Sequence, residues 1–104
     1  MNEYRSRMTE GQLLDTVMEL GKFHGWTVTH FRPSWTEHGW RTALSGHKGF
    51  PDVVLARNGV VLMAELKTEK GRVTKEQQRW GEAIGEQYRL WRPSDLESIK
   101  EELR

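Results

Sequence analysis

Residues 49–68 read GFPDVVLARNGVVLMAELKT, and Asn58-Gly59 near their centre gives them a shape. Asn-Gly between apolar runs favours a two-residue type I′ hairpin loop, because both residues accept positive φ. With that loop, Arg57 faces Val60, Ala56 faces Val61 and Leu55 faces Leu62, and the register ends with Asp52 opposite Glu65. Side chains alternate along a strand, so Asp52, Glu65 and Lys67 fall on one face. Directly opposed residues hold their Cβ atoms roughly 4.5–5.5 Å apart, and like charges placed so repel. Two carboxylates beside an ammonium form the donor set of a hard divalent cation, Mg²⁺ or Mn²⁺, next to a lysine that orients or helps deprotonate a water, or neutralises phosphate charge. The Leu66 carbonyl is a further candidate metal ligand, its side chain being directed to the core. The plainer reading is a Glu65–Lys67 surface pair with Asp52 as an ordinary strand-start residue. Such pairs are common and worth little; the Pro-Asp step, the hairpin register and the apolar surroundings weigh against it here.

Working outward, the hairpin strands are expected over residues 52–57 and 60–68. They are apolar on both faces, as in a hairpin covered on both sides. Leu13, Leu14, Val17, Met18 and Gly21 recur at helical spacing and predict a first helix over 10–24. Thr9 with Gln12 makes a capping box before it, and Gly25 suits the position just past its end. Residues 26–31 alternate like a strand, with Thr27, Val28 and Thr29 β-branched. Residues 32–50 show no period, and contain Pro33, Gly39, Gly46 and Gly49 together with Trp35, Trp40 and His38. Long structureless stretches in a small domain tend to be functional or mobile. Thr74 with Gln77 and Ser94 with Glu97 are two more capping-box patterns, opening helices over 75–85 and 95–103. Residues 88–91 form a short strand ended by Pro93. The order α-β-β-β-α-β-α implies an α/β domain with a mixed sheet and helices packed on it.

Gly49-Phe50-Pro51-Asp52, then Ala64-Glu65-Leu66-Lys67-Thr68, then Thr74-x-x-Gln77-x-x-Trp80 resembles the VRR-NUC family, the virus-type replication-repair nuclease branch of the PD-(D/E)xK superfamily. The similarity spans nearly the whole chain, from Glu10 to about Arg92. It implies a restriction-endonuclease-like αβββαβ core with a mixed central sheet flanked by helices. It also implies a metal-dependent DNA nuclease using Mg²⁺ or Mn²⁺. By the same resemblance Asp52 and Glu65 are the metal-binding carboxylates, Lys67 the catalytic lysine and Gln77 a catalytic glutamine. Glu10 matches a glutamate that sometimes completes the metal site through water, though an acid in a first helical turn also suits the helix dipole. Lys75 stands where many members have proline. Some members act on branched DNA such as Holliday junctions as homodimers, and others on flaps. Stand-alone members are typically phage-encoded, which would put the chain in the cytoplasm of a bacterial host. The alternative function is a non-catalytic DNA- or junction-binding module of the same fold, and a second rival is an interaction domain whose trio is a surface salt bridge.

Lys70, Arg72, Lys75 and Arg79 form a basic run next to Lys67, expected to contact the DNA backbone rather than only solvent. Arg41, His47 and Lys48, and also His30, are placed to reach phosphate as well. Trp35 and Trp40 are read as anchors of the long loop, and Trp80 and Trp91 as core. The four histidines have no metal-ligand spacing, so a zinc site is not expected. At 104 residues the chain is read as one domain, residues 1–104, with 36% hydrophobic residues to build a modest core. Sixteen basic against 15 acidic residues leave a net charge of +1, so any nucleic-acid surface is local. There are no cysteines, which excludes disulfides and thiol nucleophiles and fits a reducing setting. No 18-residue apolar run or signal segment is seen, so no membrane partner is expected.

Overall fold

The structure, a computed structural model, describes residues 7–31, 34–36, 39–41 and 45–104, with the side chains of 34–36 and 39–41 left undescribed. The chain runs α1 (Glu10–Phe23), β1 (Thr27–His30), β2 (Ser34–Thr36), β3 (Gly39–Arg41), β4 (Val53–Arg57), β5 (Val60–Leu66), α2 (Lys75–Ile84), β6 (Tyr88–Trp91) and α3 (Leu96–Leu103). Two short 3₁₀ turns, Gly85–Gln87 and Pro93–Asp95, precede β6 and α3. It is an α/β fold built on a four-stranded mixed sheet of order β1-β4-β5-β6. β1, β4 and β5 are antiparallel neighbours, and β6 lies parallel to β5, the crossover being α2. Among the described residues no helix is long and apolar enough to cross a membrane.

The β4–β5 register follows the Asn-Gly turn. Val53 pairs with Ala64 and Arg57 with Val60, and Asn58 (φ 51) and Gly59 (φ 82) both take the positive φ that a type I′ loop requires. One face of the sheet carries Val53, Leu55, Leu62, Ala64 and Leu66, all buried. Against them pack Leu13 and Val17 of α1, Ile99 and Leu103 of α3, and Trp26 and Trp91. The opposite face is covered more thinly. α2 has no fully buried residue, and Val61 and Leu90 are exposed on that side. The hairpin is therefore sealed on one face and only partly covered on the other, where full cover on both was expected.

Arg57 closes the fold at the loop end of the hairpin. Its guanidinium lies 4.4 Å from the Trp26 ring centroid, a cation–π contact. It donates to the carbonyls of His24 (2.8 Å) and Leu103 (3.2 Å), tying the ends of α1 and α3 to β4. Trp26 Nε1 donates to the same Leu103 carbonyl at 2.9 Å. Helix C-termini leave carbonyls without partners, and these contacts supply them.

Three expectations need correction. Residues 34–36 and 39–41 pair as a small antiparallel hairpin, Ser34 opposite Arg41, inside the stretch read as structureless. Strands of three residues are too short to show a period. The Ser94–Glu97 capping box does not form. Asp95 closes the 3₁₀ turn by accepting from Arg92 N at 2.8 Å, while Ser94 N donates to Glu69 Oε2 at 3.0 Å. Pro93 at the start of that turn shifts the helix start to Leu96. Trp91 is core, but Trp80 is half-buried against Phe50 and joins no core cluster.

Candidate active site

The open end of the β4–β5 hairpin carries the polar groups. Asp52 precedes β4, and its carbonyl accepts from Phe31 N at 3.1 Å, extending the β1 pairing by one step. Its Oδ2 accepts from the Leu66 amide at 2.9 Å, so the side chain spans to the neighbouring strand. Glu65 points to the α2 side of the sheet and is 3% exposed, the one charged residue buried among the described residues. One step beyond the Val53–Ala64 pair, the same register sets Asp52 opposite Glu65, so their carboxyl groups are neighbours. Burial, then the hydrogen bond and like charge of Asp52, raise the Glu65 pKa from 4.5 to about 8; Lys67 opposes the rise, and Glu10 adds to it. Tyr88, on the same face of β6, also has its pKa raised, first by burial and then by the charges of Glu65 and Asp52.

Lys67 follows β5 and is held there by its amide, which donates to the Trp91 carbonyl at 3.0 Å. Its aliphatic chain runs over Gly71: a Cβ there would lie 3.5 Å from Lys67 Cδ. Arg92 fixes that turn by donating Nη1 to the carbonyls of Thr68 (2.8 Å), Glu69 (3.2 Å) and Gly71 (2.8 Å). This clamp was not legible in the sequence, since it joins residues more than twenty positions apart.

Gln77 does two things with one amide. Its Oε1 accepts from Thr74 N at 2.9 Å and its backbone N donates to Thr74 Oγ1 at 3.1 Å, completing the capping box of α2. With the oxygen committed to the cap, Nε2 donates to Glu65 Oε2 at 3.1 Å. Capping alone is served by Glu as well as by Gln. A glutamate here would turn a carboxylate oxygen toward Glu65 in place of a donor. Gln77→Glu is therefore expected to keep the helix, by circular dichroism, while lowering thermal stability above neutral pH by roughly 1–3 kcal/mol. A melting temperature equal to that of the parent at pH 8.5 would refute the pairing.

Gly49 sets the distance between this end of the sheet and α2. At φ +94 it is in a region that favours glycine, and a Cβ would come within 2.7 Å of the Glu76 carbonyl carbon and 2.9 Å of Gln77 N. The next residue, Phe50, packs edge-to-face between Phe31 (5.6 Å between centroids) and Trp80 (4.9 Å). Trp80 Nε1 in turn donates to the carbonyls of His47 and Lys48, at 3.2 and 3.1 Å. The glycine and the tryptophan of the two flanking motifs thus meet in one contact between the residue 47–50 loop and α2.

No family model and no curated protein matches this chain. Among the described residues no three His, Cys, Asp or Glu side chains gather closely enough to hold a metal ion by themselves. The acidic donors are the Asp52–Glu65 pair, and Glu10, exposed in the first turn of α1, acts on Glu65 through its charge. Mg²⁺ keeps several of its waters and is commonly held by one or two carboxylates, so the pair fits such an ion.

The basic residues divide. Lys70 and Arg72 are held in the turn clamped by Arg92, and Lys75 and Arg79 lie four apart on α2, all with Lys48 exposed at the margins of the site. Arg41 lies in β3, and its side chain is outside the described residues, as are those of Trp35 and Trp40; His38 is outside altogether. His30 is half-buried on β1. It pairs with Val53 and so shares the α1 face of the sheet, where its Nδ1 is buried without a hydrogen-bond partner among the described residues.

Proposed function

We propose that the chain is a metal-dependent DNA nuclease with a PD-(D/E)xK-type site, hydrolysing phosphodiester bonds in branched or flapped DNA. One observation carries the reading: Asp52 and Glu65 are brought carboxyl to carboxyl at a strand end, with Lys67 on the same face. Burying two acids together is unfavourable unless a cation or proton sits between them. The resemblance of residues 49–80 to VRR-NUC nucleases supports the same assignment. Asp52 and Glu65 would hold Mg²⁺ or Mn²⁺, with the Leu66 carbonyl and, through water, Glu10 as further ligands. When bound, the ion supplies Lewis-acid polarisation of the phosphate and a lowered pKa for a bound water.

The chain's own groups do the rest. Lys67 neutralises charge growing on the phosphate and orients the attacking water. Gln77 holds Glu65 in place through Oε2. Arg92 keeps the turn beneath Lys67 in one conformation and presents Lys70 and Arg72 to the DNA backbone. One site cuts one strand, so paired cuts in a junction call for a homodimer.

The test is cleavage of labelled linear duplex, single strand, flap and four-way junction in Mg²⁺ and in Mn²⁺. Products that disappear with EDTA are expected, with a branched substrate cut best. Junction binding without cleavage under any metal would assign the chain to the non-catalytic alternative.

A further inference from the structure

Where α2 meets the residue 47–50 loop, a recess of about 220 Å³ is lined by His47, Arg79, Trp80 and Ala83. Nothing in the hydrolytic chemistry uses it. Its wall is unusually fixed for a surface aromatic. Trp80 is pinned by two hydrogen bonds from Nε1 to the 47–48 backbone and by the Phe50 ring at 4.9 Å. A rigid ring loses little rotamer entropy when something stacks on it. The small side chain of Ala83, three residues on, leaves room over the helix, and Arg79 brings a cationic plane to the same opening. Trp80 is one helical turn from Gln77, about 4.5 Å along the axis, and Gln77 touches Glu65.

We propose that this recess is the binding site for one unpaired nucleobase, that of a nucleotide next to the scissile phosphate. The proposal rests on the nuclease reading above and adds to it how the substrate is selected. An aromatic ring with a neighbouring guanidinium recognises the π-face that every base shares, so the recess selects unpaired nucleotides without selecting sequence. A base within a duplex is stacked on its neighbours and has no free face to offer. DNA carrying a flap, gap or open junction arm beside the cut therefore gains a contact that linear duplex lacks. His47 and Arg79 at the rim serve the adjoining phosphate.

The test compares affinities for a duplex with a single-strand flap and for the same duplex fully paired, by fluorescence anisotropy in EDTA so that nothing is cut. Stacking of one base on an aromatic side chain is worth about tenfold in affinity. The wild-type chain is expected to prefer the flap by about that factor. Ala83→Leu, which fills the recess and keeps a strong helix former at an exposed position, is expected to lose the preference. Replacing flap nucleotides one at a time by an abasic analogue is expected to weaken wild-type binding at a single position near the branch. The abasic series needs no variant, so it decides the matter even if Ala83→Leu folds poorly. A flat abasic series, or a flap preference untouched by Ala83→Leu, would overturn the base site while leaving the nuclease reading intact. Failure to bind or cut any DNA would instead remove the nuclease reading, and the base site with it.

Discussion

Glu65→Gln is expected to abolish cleavage and, at the same time, to make the metal-free protein more stable at alkaline pH. The first effect follows from loss of one of two carboxylate ligands, and a drop of about a thousandfold or more is expected in Mg²⁺. Lys67→Ala is expected to lose activity comparably with little change in fold, since only its side-chain end faces the site. The second effect follows from linkage. The folded-state pKa of Glu65, about 8, lies above its ordinary 4.5, so the folded protein binds that proton more tightly than the unfolded chain. No penalty exists below about pH 4.5; it grows as pH rises through 4.5 to 8 and is constant above. Stability of the wild-type chain in EDTA should therefore fall over this window, by on the order of 5 kcal/mol. The groups facing Glu65 are Asp52, Lys67, Gln77, Tyr88 and, farther off, Glu10. Glutamine does not titrate, so the variant should show a flatter profile, and Mg²⁺ should restore the wild type at pH 8 but not the variant. Thermal melts from pH 5 to 9, with and without Mg²⁺, check both parts. Parallel wild-type and variant profiles would mean that the two carboxyl groups do not interact as the geometry requires.

Gly49→Ala is expected to destabilise the whole domain by about 3 kcal/mol. A non-glycine residue at this φ costs on the order of 1–2 kcal/mol, and forcing a methyl into a filled space adds roughly 1–3 kcal/mol. The obstacle is helix backbone, Glu76 C at 2.7 Å and Gln77 N at 2.9 Å, and cannot rotate away. For a chain of this size the melting temperature should drop roughly 10–20 °C. Relief of the clash means moving α2 outward, which separates Gln77 from Glu65, so residual folded protein should also cut DNA poorly. A variant that melts within 2 °C of the parent would show that the loop and α2 are not in contact.

The site was readable in the sequence where local rules act alone. A two-residue turn fixes a register, so Asn58-Gly59 was enough to oppose Asp52 and Glu65 ten and more residues from one another. The Thr74–Gln77 box was equally legible, being a contact between neighbours, and its second hydrogen bond to Glu65 follows once the helix is placed. Strand parity, applied to β1 as it was to β4, would have put His30 on the buried face. Other features depend on distant parts of the chain. Trp80 has helical spacing with Gln77 and so resembles a core residue, yet what it meets is the backbone of residues 47 and 48. Arg57 and Arg92 are ordinary surface arginines by composition; only the finished fold brings the ends of two helices to the first and a turn to the second. Ser94 lost its cap to Asp95 because Pro93 favours a tighter turn first.

The Leu66 amide offers a way to watch the site without following catalysis. Its proton is held by the Asp52 carboxylate rather than by a carbonyl of the sheet. Solvent exchange of that one amide therefore depends on where Asp52 points. The pair lies at the end of the hairpin farthest from its turn, so a local opening there leaves the Asn58 end paired. An ion that draws Asp52 toward itself would change the exchange rate at Leu66, while amides near Asn58, at the closed end, would keep theirs. The same bond that finishes a strand is in this way a clock on the occupancy of the site, readable amide by amide.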